Sequence, residues 1–385
     1  KPCKDHYQMN ISIVGRGRID AASSRSSDHR LWSVYASGDG QFLEQDKEEV
    51  VLGRIGTEVK EHFNNLREKY ALLRSADSTA LLALEAAQQA VNQANWSMEE
   101  FALLVGCSRG PTTSWEHYWE QFRETGRTRS MASPVTTLGS VTNTLANFFG
   151  QAGLAIGQSV TCSSGFHAIV QAVALLQSGL VDRVLVGGTE APLTPFTIAQ
   201  MKAMRITAKA HSWPLASEPG GMAIGEGAAM FCLSQQGEGF FPKLLGIGFA
   251  RENAHSMAGI SADGTALRMA MEKAMQEAGR QPDLIIPHAP GTKAGDAAEM
   301  AALQRLFGSD IPPIYSGKWA TGHTFGASGP LALDLALELL AERKVPVMPY
   351  ELRADLRTWK EGDPLKTILV NATGFGGNAV SILVG

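Results

Sequence analysis

Short apolar runs alternate along the chain with segments of helical periodicity. Eight runs read as strands: Ile11–Gly15, Phe101–Gly106, Arg183–Gly188, Ala228–Leu233, Leu244–Phe249, Leu284–Ala289, Ile368–Gly377 and Ala379–Gly385. Amphipathic or buried helices fall between them, which is the alternation of a parallel α/β architecture. Over Ser78–Asn95 the spacing of Leu84, Ala87, Val91 and Ala94 predicts a helix with one apolar face, and Ser97-Met98-Glu99-Glu100 has the capping-box pattern that opens another. Over 265–278 the residues Leu267, Met271, Ala274, Met275 and Ala278 share a face, read as core packing. The softer stretch 234–243 (SQQGEGFFPK) divides the chain into a first part, 1–236, and a second, 237–385. Both parts end in glycine-rich strand pairs, as two similar halves around one core would.

Composition narrows the class. The chain has 385 residues, Lys+Arg 34 against Asp+Glu 38, a net charge of -4 and 44% hydrophobic residues. That is enough chain for a large buried core and too little net charge for disorder. No basic excess points to nucleic acid, and no apolar run approaches the roughly 20 residues that cross a bilayer. The apolar stretch Ile11–Val14 is too short for a signal peptide core. Cys3, Cys107, Cys162 and Cys232 lie far apart without disulfide spacing, so a reducing, cytoplasmic setting is expected.

Candidate chemistry begins at Val160-Thr161-Cys162-Ser163-Ser164-Gly165-Phe166-His167. Small residues end an apolar approach, and a nearly all-apolar helix follows. Cys162 then stands at a helix N-terminus, where the dipole favours a thiolate and free N–H groups favour an oxyanion. A small residue packed into a tight turn fits the same pattern. Two further segments add to it. His288 follows the strand-like Leu284–Pro287 in a turn-rich loop, and His323 lies among the glycines of Ser316–Gly326. A thiol with two histidines in such loops forms the parts of an acyl-transfer site. The other histidines have no such context. No metal-ligand spacing and no phosphate loop is found. Gly374-Phe375-Gly376-Gly377-Asn378-Ala379 fits a dinucleotide fingerprint, but a strand-like run follows where that motif needs a helix.

These segments, in this order, resemble the β-ketoacyl-[acyl carrier protein] synthases of the thiolase superfamily. The Cys162 segment looks like the family's nucleophile motif, and His288–Thr292 with Gly295, Asp296 and Glu299 resembles its HGTGT…GDxxE run. Lys318–Gly329 is similar to KxxxGHxxGAAG. Gly187–Glu190, Ile224–Ala228 and Asn371–Asn378 resemble three further signatures, so the likeness spans about Ile11 to Gly385. It implies a thiolase-like five-layered αβαβα fold built from two similar halves, and a decarboxylative condensation. Cys162 would carry the acyl group, while His288 and His323 would hold the malonyl thioester carbonyl. Lys318 would support His323, with Glu299 in a network behind it. The backbone N–H groups of Cys162 and Phe375 would form the oxyanion hole, Phe375 would gate access, and Thr292 would bond the pantetheine arm. Substrates would ride on the phosphopantetheine arm of an acyl carrier protein, with no separate cofactor and no metal.

Departures from the family pattern bear on the pathway. Pro290 replaces the first Thr of HGTGT, the run Pro214–Met222 lacks the usual Asp, Arg and Phe, and Thr373 replaces the first Phe of the closing loop. They favour a specialised type II polyketide or aryl-polyene-like synthase over a fatty-acid elongation enzyme or a non-elongating, chain-length-factor-like partner. A homodimer, or a heterodimer with a second synthase-like subunit, is expected. Carrier proteins are acidic, so a basic patch is expected in Lys202, Arg205 and Lys209 or in Arg67, Lys69 and Arg74.

Overall fold

The computed structural model describes residue 9 and residues 11–24, 31–38, 43–47, 49–97, 101–235, 242–253 and 259–385. Nine strands join in one sheet: β1 (Ile11–Asp20), β2 (Ala102–Gly106), β3 (Ala155–Gln158), β4 (Arg183–Glu190), β5 (Gly227–Ser234), β6 (Lys243–Arg251), β7 (Leu284–Ile286), β8 (Ile368–Gly374) and β9 (Asn378–Val384). Their order is β7-β8-β9-β6-β1-β5-β4-β2-β3. The helices that frame the site are α1 (Thr57–Lys69), α2 (Ser78–Ala94), α3 (Ser164–Gln177), α4 (Pro195–Ala203), α5 (Thr265–Ala278), α6 (Lys293–Phe307) and α7 (Ser328–Glu342).

The sheet is two repeats of one pattern. In the first, β1 runs antiparallel to β5, β5 antiparallel to β4, and β4 and β2 continue in parallel to β3. In the second, β6 runs antiparallel to β9, β9 antiparallel to β8, and β8 parallel to β7. A parallel bridge from Ile285 to Ile314 takes the place of a fifth strand. Within the sheet the repeats join where Ile11 and Ser12 pair with Leu244 and Lys243.

Local packing repeats as well. Gly15 and Gly17 sit two apart on β1, so both face α2. A Cβ on either would lie 2.2 Å from a helix carbonyl, of Ala90 and Ala86 respectively. On β6, Gly246 and Gly248 meet the Ala274 and Ala270 carbonyls of α5 at 2.1 and 1.9 Å in the same way. Glycine opposite an alanine ridge lets helix and strand approach closely, and the same device in both halves puts α2 and α5 in equivalent outer positions. Helix α7 packs between the two sheet halves, touching β8 on one side and β1, β4 and β5 on the other, with α3 beside it. The layers are therefore helix, sheet, helix, sheet, helix.

Each of the eight runs read from the sequence contains a strand, although Leu284–Ala289 leaves the sheet after Ile286 and Ile368–Gly377 after Gly374, and the helices over Ser78–Ala94 and Thr265–Ala278 lie where their periodicity put them. Strand β1 extends five residues beyond its apolar run, through Arg16-Gly17-Arg18-Ile19-Asp20. Arg18 and Asp20 are buried and Arg16 is half-buried, yet all three are paired. Arg18 bonds Asp20 and lies 3.2 Å from Asp334 of α7, and Arg16 lies 3.1 Å from the same carboxylate. Met98–Glu100 of the capping-box pattern and residues 236–241 of the dividing stretch lie outside the described residues.

Candidate active site

The chain enters the site from β3 through a turn that hydroxyl groups hold shut. The Val160 amide donates to Ser164 Oγ at 2.8 Å, and Ser163 Oγ donates to the Val160 carbonyl at 2.9 Å. Thr161, a β-branched residue, is held at φ 48°, a conformation that costs energy and marks a constrained functional turn. Its hydroxyl donates to the Phe375 carbonyl at 3.2 Å, tying the turn to the β8–β9 hairpin. Gly374 makes that contact possible, since a Cβ there would lie 2.1 Å from Thr161 Oγ1 and 3.2 Å from the Cys162 amide nitrogen. Helix α3 starts at Ser164, and its buried face (Phe166, Ile169, Val173) belongs to the central core.

The histidines come from the other half. Strand β7 ends at Ile286, and the backbone N–H groups of His288 and Ala289 donate to the two oxygens of Glu299 on α6, at 3.0 and 2.6 Å. Asn371 of β8 donates to the same carboxylate at 3.0 Å and accepts from Ser381 Oγ at 2.8 Å. Glu299 thus positions the His288 loop by holding its backbone. His323 is held by its own amide, which donates to Ala223 O at 2.7 Å. Its Nδ1 accepts from the Phe325 amide at 2.9 Å. That bond makes Nδ1 an acceptor, so neutral His323 carries its proton on Nε2. The rings of His288 and His323 lie 5.1 Å apart, nearly perpendicular.

Cys162, His288, His323 and Phe325 line one cavity of about 310 Å³, with Met201, Met204, Ile206, Pro290, Thr292 and Phe375 on its remaining walls. A larger polar groove of about 700 Å³ lies elsewhere, around Arg16, His62 and Glu85, and holds no thiol. Thr292 caps α6, accepting from the Gly295 amide at 3.1 Å, so its hydroxyl proton remains to meet a ligand. Cys107 and Cys232 are buried away from the cavity.

Electrostatics differ from the sequence expectation at one point. A helix N-terminus was to lower the Cys162 thiol, but its pKa is pushed up to about 12, first by burial and next by the Glu190 carboxylate. The helix begins two residues later, and the dipole fades quickly beyond the terminal turn. Arg109 and Lys318 pull the other way without prevailing. Burial also holds both imidazoles neutral, His323 at about 3 and His288 well below the usual range, with Lys318 adding to each. Lys318 itself falls to about 8 through burial. Its amino group donates to the Pro287 carbonyl at 3.1 Å, so it braces the His288 loop and acts on His323 through its field.

Three residues that the sequence placed within matched motifs but gave no role contribute to the site. Glu190 accepts from the amides of Ser108, Arg109 and Gly326 at 2.8, 2.9 and 3.0 Å, fastening the loop after β2 to the segment after His323. Asp296, raised to about 7 by burial, accepts from Leu215 and Gly291 and ties the divergent Pro214–Met222 run to the His288 loop. Asn371 completes the Glu299 cluster. Each is a polar residue within an apolar stretch, a signal that marks a buried network without naming its partners. Of the cations, Lys202, Arg205 and Lys209 lie exposed on the segment whose Met201, Met204 and Ile206 wall the cavity. Arg67 is spent elsewhere: its guanidinium bonds the Ala76 carbonyl, Asn64 and Ser78, Lys69 lies over the Tyr70 ring, and no residue of α1 reaches the cavity.

Comparisons with known proteins identify the family and the fold. The family models described as Beta-ketoacyl synthase, N-terminal domain and Beta-ketoacyl synthase, C-terminal domain match residues 22–238 and 242–349. The chain is 29% identical over 319 residues to Nodulation protein E of Rhizobium sp. (strain N33), covering 76% of this chain and 77% of that protein. A solved complex of a type II polyketide acyl carrier protein with its ketosynthase, AntDE:AntF, shares the fold at a TM-score of 0.84 and 21% identity, over 98% of this chain and 99% of that one. The ketosynthase ApeO of Xenorhabdus doucetiae, solved with its chain length factor ApeC, matches at a TM-score of 0.80 and 22% identity over the whole of both chains.

Proposed function

The chain belongs to the beta-ketoacyl synthase family, whose members are acyl-transferring condensing enzymes, and on that premise we propose that it condenses an acyl group held on Cys162 with malonyl carrier protein. The observation that carries this reading is the meeting of Cys162, His288 and His323 in one cavity, with Nδ1 of His323 already committed as an acceptor. In the first half-reaction the Cys162 sulfur attacks the thioester carbonyl of an acylated carrier. The C–S bond to the carrier breaks, and the carrier thiol leaves with the proton that Cys162 gives up. The oxyanion of that step lies against the backbone N–H groups of Cys162 and Phe375.

In the second half-reaction the malonyl C–C bond breaks and carbon dioxide leaves. Its electron pair moves into an enolate whose oxygen meets the Nε2–H of His323 and the imidazole of His288. Neutral donors preset in a dry cavity stabilise that charge as it forms, where the rate is gained. The enolate carbon then attacks the acyl-Cys162 carbonyl, a C–C bond forms, and Cys162 is expelled as a thiolate that takes up a proton from solvent. The 3-oxoacyl product, two carbons longer, stays on the carrier. Thr292 bonds the pantetheine arm, and the exposed Lys202, Arg205 and Lys209 meet the acidic carrier at the cavity mouth.

The departures at Pro290, Thr373 and Pro214–Met222, together with similarity to a ketosynthase solved with a type II polyketide carrier protein and to one solved with a chain length factor, support a specialised polyketide-type or aryl-polyene-like pathway. The same similarity supports pairing with a second synthase-like subunit. The test is intact-protein mass spectrometry after incubation with a panel of acyl carrier proteins, beside Cys162→Ala. An acyl adduct that disappears in the variant is expected. No adduct with any carrier, whether alone or with a co-expressed partner subunit, would overturn the reading.

A further inference from the structure

The Phe325 amide is not the only group on Nδ1 of His323. The hydroxyl oxygen of Ser328 lies 3.0 Å from the same nitrogen. Ser328 is the first residue of α7, and every residue from Ser328 to Leu337 is buried, so packing of the helix fixes where that hydroxyl sits. It also stands where the motif KxxxGHxxGAAG has its second Ala, the one fixed position of Lys318–Gly329 that departs from that pattern. The hydroxyl therefore belongs to this chain rather than to the motif, and the reaction as derived so far gives it no part.

The protons of this group can be placed one at a time. The Thr324 amide donates to Ser328 Oγ at 2.9 Å, and Thr324 Oγ1 lies 3.2 Å from the same oxygen. His323 Nδ1 cannot donate to Ser328, because a hydrogen on it would meet the Phe325 N–H that points at it from 2.9 Å. The Ser328 proton then has two possible acceptors, Nδ1 and Thr324 Oγ1. Nδ1 is the closer of them and the stronger base. With that choice Thr324 gives its own hydroxyl proton to Ser328, and both bonds form. The opposite choice leaves the Thr324 hydrogen without an acceptor in the group, and all three residues are buried, where such a hydrogen is costly. Donors thus run in a chain from Thr324 to Ser328 to His323, and each bond polarises the next. Nδ1 of His288, by contrast, is buried with no partner. We propose that Ser328 is a positioning residue for His323, donating to Nδ1 so that the ring is locked as its Nε2–H tautomer and that N–H is strengthened as a donor to the enolate oxygen. The inference deepens the proposed decarboxylation and rests on it.

The experiment compares wild type with Ser328→Ala, which installs the residue of the motif and removes the donor alone. One readout is a ratio within each protein. Carbon dioxide release from a malonyl-loaded carrier protein is divided by the rate of Cys162 adduct formation from the same carrier loaded with an acyl group, both at saturating carrier. Ser328→Ala is expected to lower this ratio about fivefold, the worth of one neutral hydrogen bond, and a general loss of folded enzyme cancels from it. The second readout is the nitrogen-15 NMR spectrum of histidine-labelled protein, in which the His323 ring signals are those that His323→Gln removes. Wild type is expected to show a protonated Nε2 and an unprotonated Nδ1 shifted upfield by its donors. In Ser328→Ala, Nδ1 is expected to move downfield, toward a free imidazole nitrogen, with Nε2 still protonated. A merely structural role for the hydroxyl would not move that one nitrogen in that direction. A protonated Nδ1 in wild type, an Nδ1 unmoved in the variant, or an unchanged ratio would overturn the inference and leave the condensation standing. No carbon dioxide from wild type with any malonyl carrier, alone or with a co-expressed partner subunit, would overturn the proposed decarboxylation and this role within it.

Discussion

Replacing His323 with Gln should flatten the dependence of stability on pH between 7 and 5, by an amount the structure sets. His323 is buried and held neutral with its pKa near 3, against 6.5 for the free side chain. Below pH 6.5 the unfolded chain binds a proton at this residue that the folded protein does not, so stability falls as pH falls, until the folded pKa is reached. Between pH 7 and pH 5 the loss from this one group is about 2 kcal/mol. Asp296 acts with the opposite sign. Its folded pKa of about 7 exceeds the ordinary 3.8, so the folded protein binds the extra proton and gains stability on acidification. The raw pH profile of wild type therefore mixes opposing contributions. The difference between two profiles isolates the histidine. Urea unfolding of wild type and His323→Gln at pH 7, 6 and 5 should give a gap between the proteins that narrows by about 2 kcal/mol on acidification. A gap constant over this range would show that His323 titrates normally in the fold. The depressed imidazole, and with it the neutral donor in the proposed decarboxylation, would then be lost.

Three further outcomes are expected. Alkylation of Cys162 by iodoacetamide, located by peptide mapping, should rise about tenfold per pH unit from 7 to 10 without a plateau, because only the thiolate reacts and its pKa is near 12; a plateau below pH 9 would contradict this. Gly374→Ala drives a Cβ to 2.1 Å from Thr161 Oγ1 beside the Cys162 amide, and acyl-adduct formation should fall by about 100-fold, so a wild-type rate would show that the turn has slack. Asp334→Ala leaves Arg16 and Arg18 without a shared partner and should cost about 3–5 kcal/mol in urea unfolding, with a loss under about 1 kcal/mol showing that the remaining carboxylates or water compensate.

Much of the architecture is written in local chemistry. Strands such as Arg183–Glu190 and Gly227–Ser234 are apolar almost throughout because both faces are covered, and a run of that kind identifies itself without its neighbours. Helix Thr265–Ala278 declares both its ends, since Gly264 and Gly279 stand in left-handed conformations on either side of a periodic apolar face. Strand β1 was legible only in its first half, because Arg16 and Arg18 look like solvent residues until Asp334, more than 300 positions away, neutralises them. The three residues proposed for the chemistry stand in small and glycine-rich surroundings, the composition that allows backbone to crowd a site.

Sequence by itself determined which side chains could react and which segments would be buried, since both follow from residue type and spacing. Tertiary structure alone decided how those side chains behave. The helix beside Cys162 suggests an acidic thiol, yet burial and a carboxylate from β4 reverse the sign. Nothing in the residues around His323 says which nitrogen carries its proton until the chain folds back and the Phe325 amide donates to Nδ1. Lys318 and Arg67 look alike as surface cations in the sequence, and the fold makes one a buried brace for the His288 loop and the other a clasp on the start of α2. Protonation, tautomer and charge pairing are properties of an environment, and that environment is assembled from residues far apart in the chain.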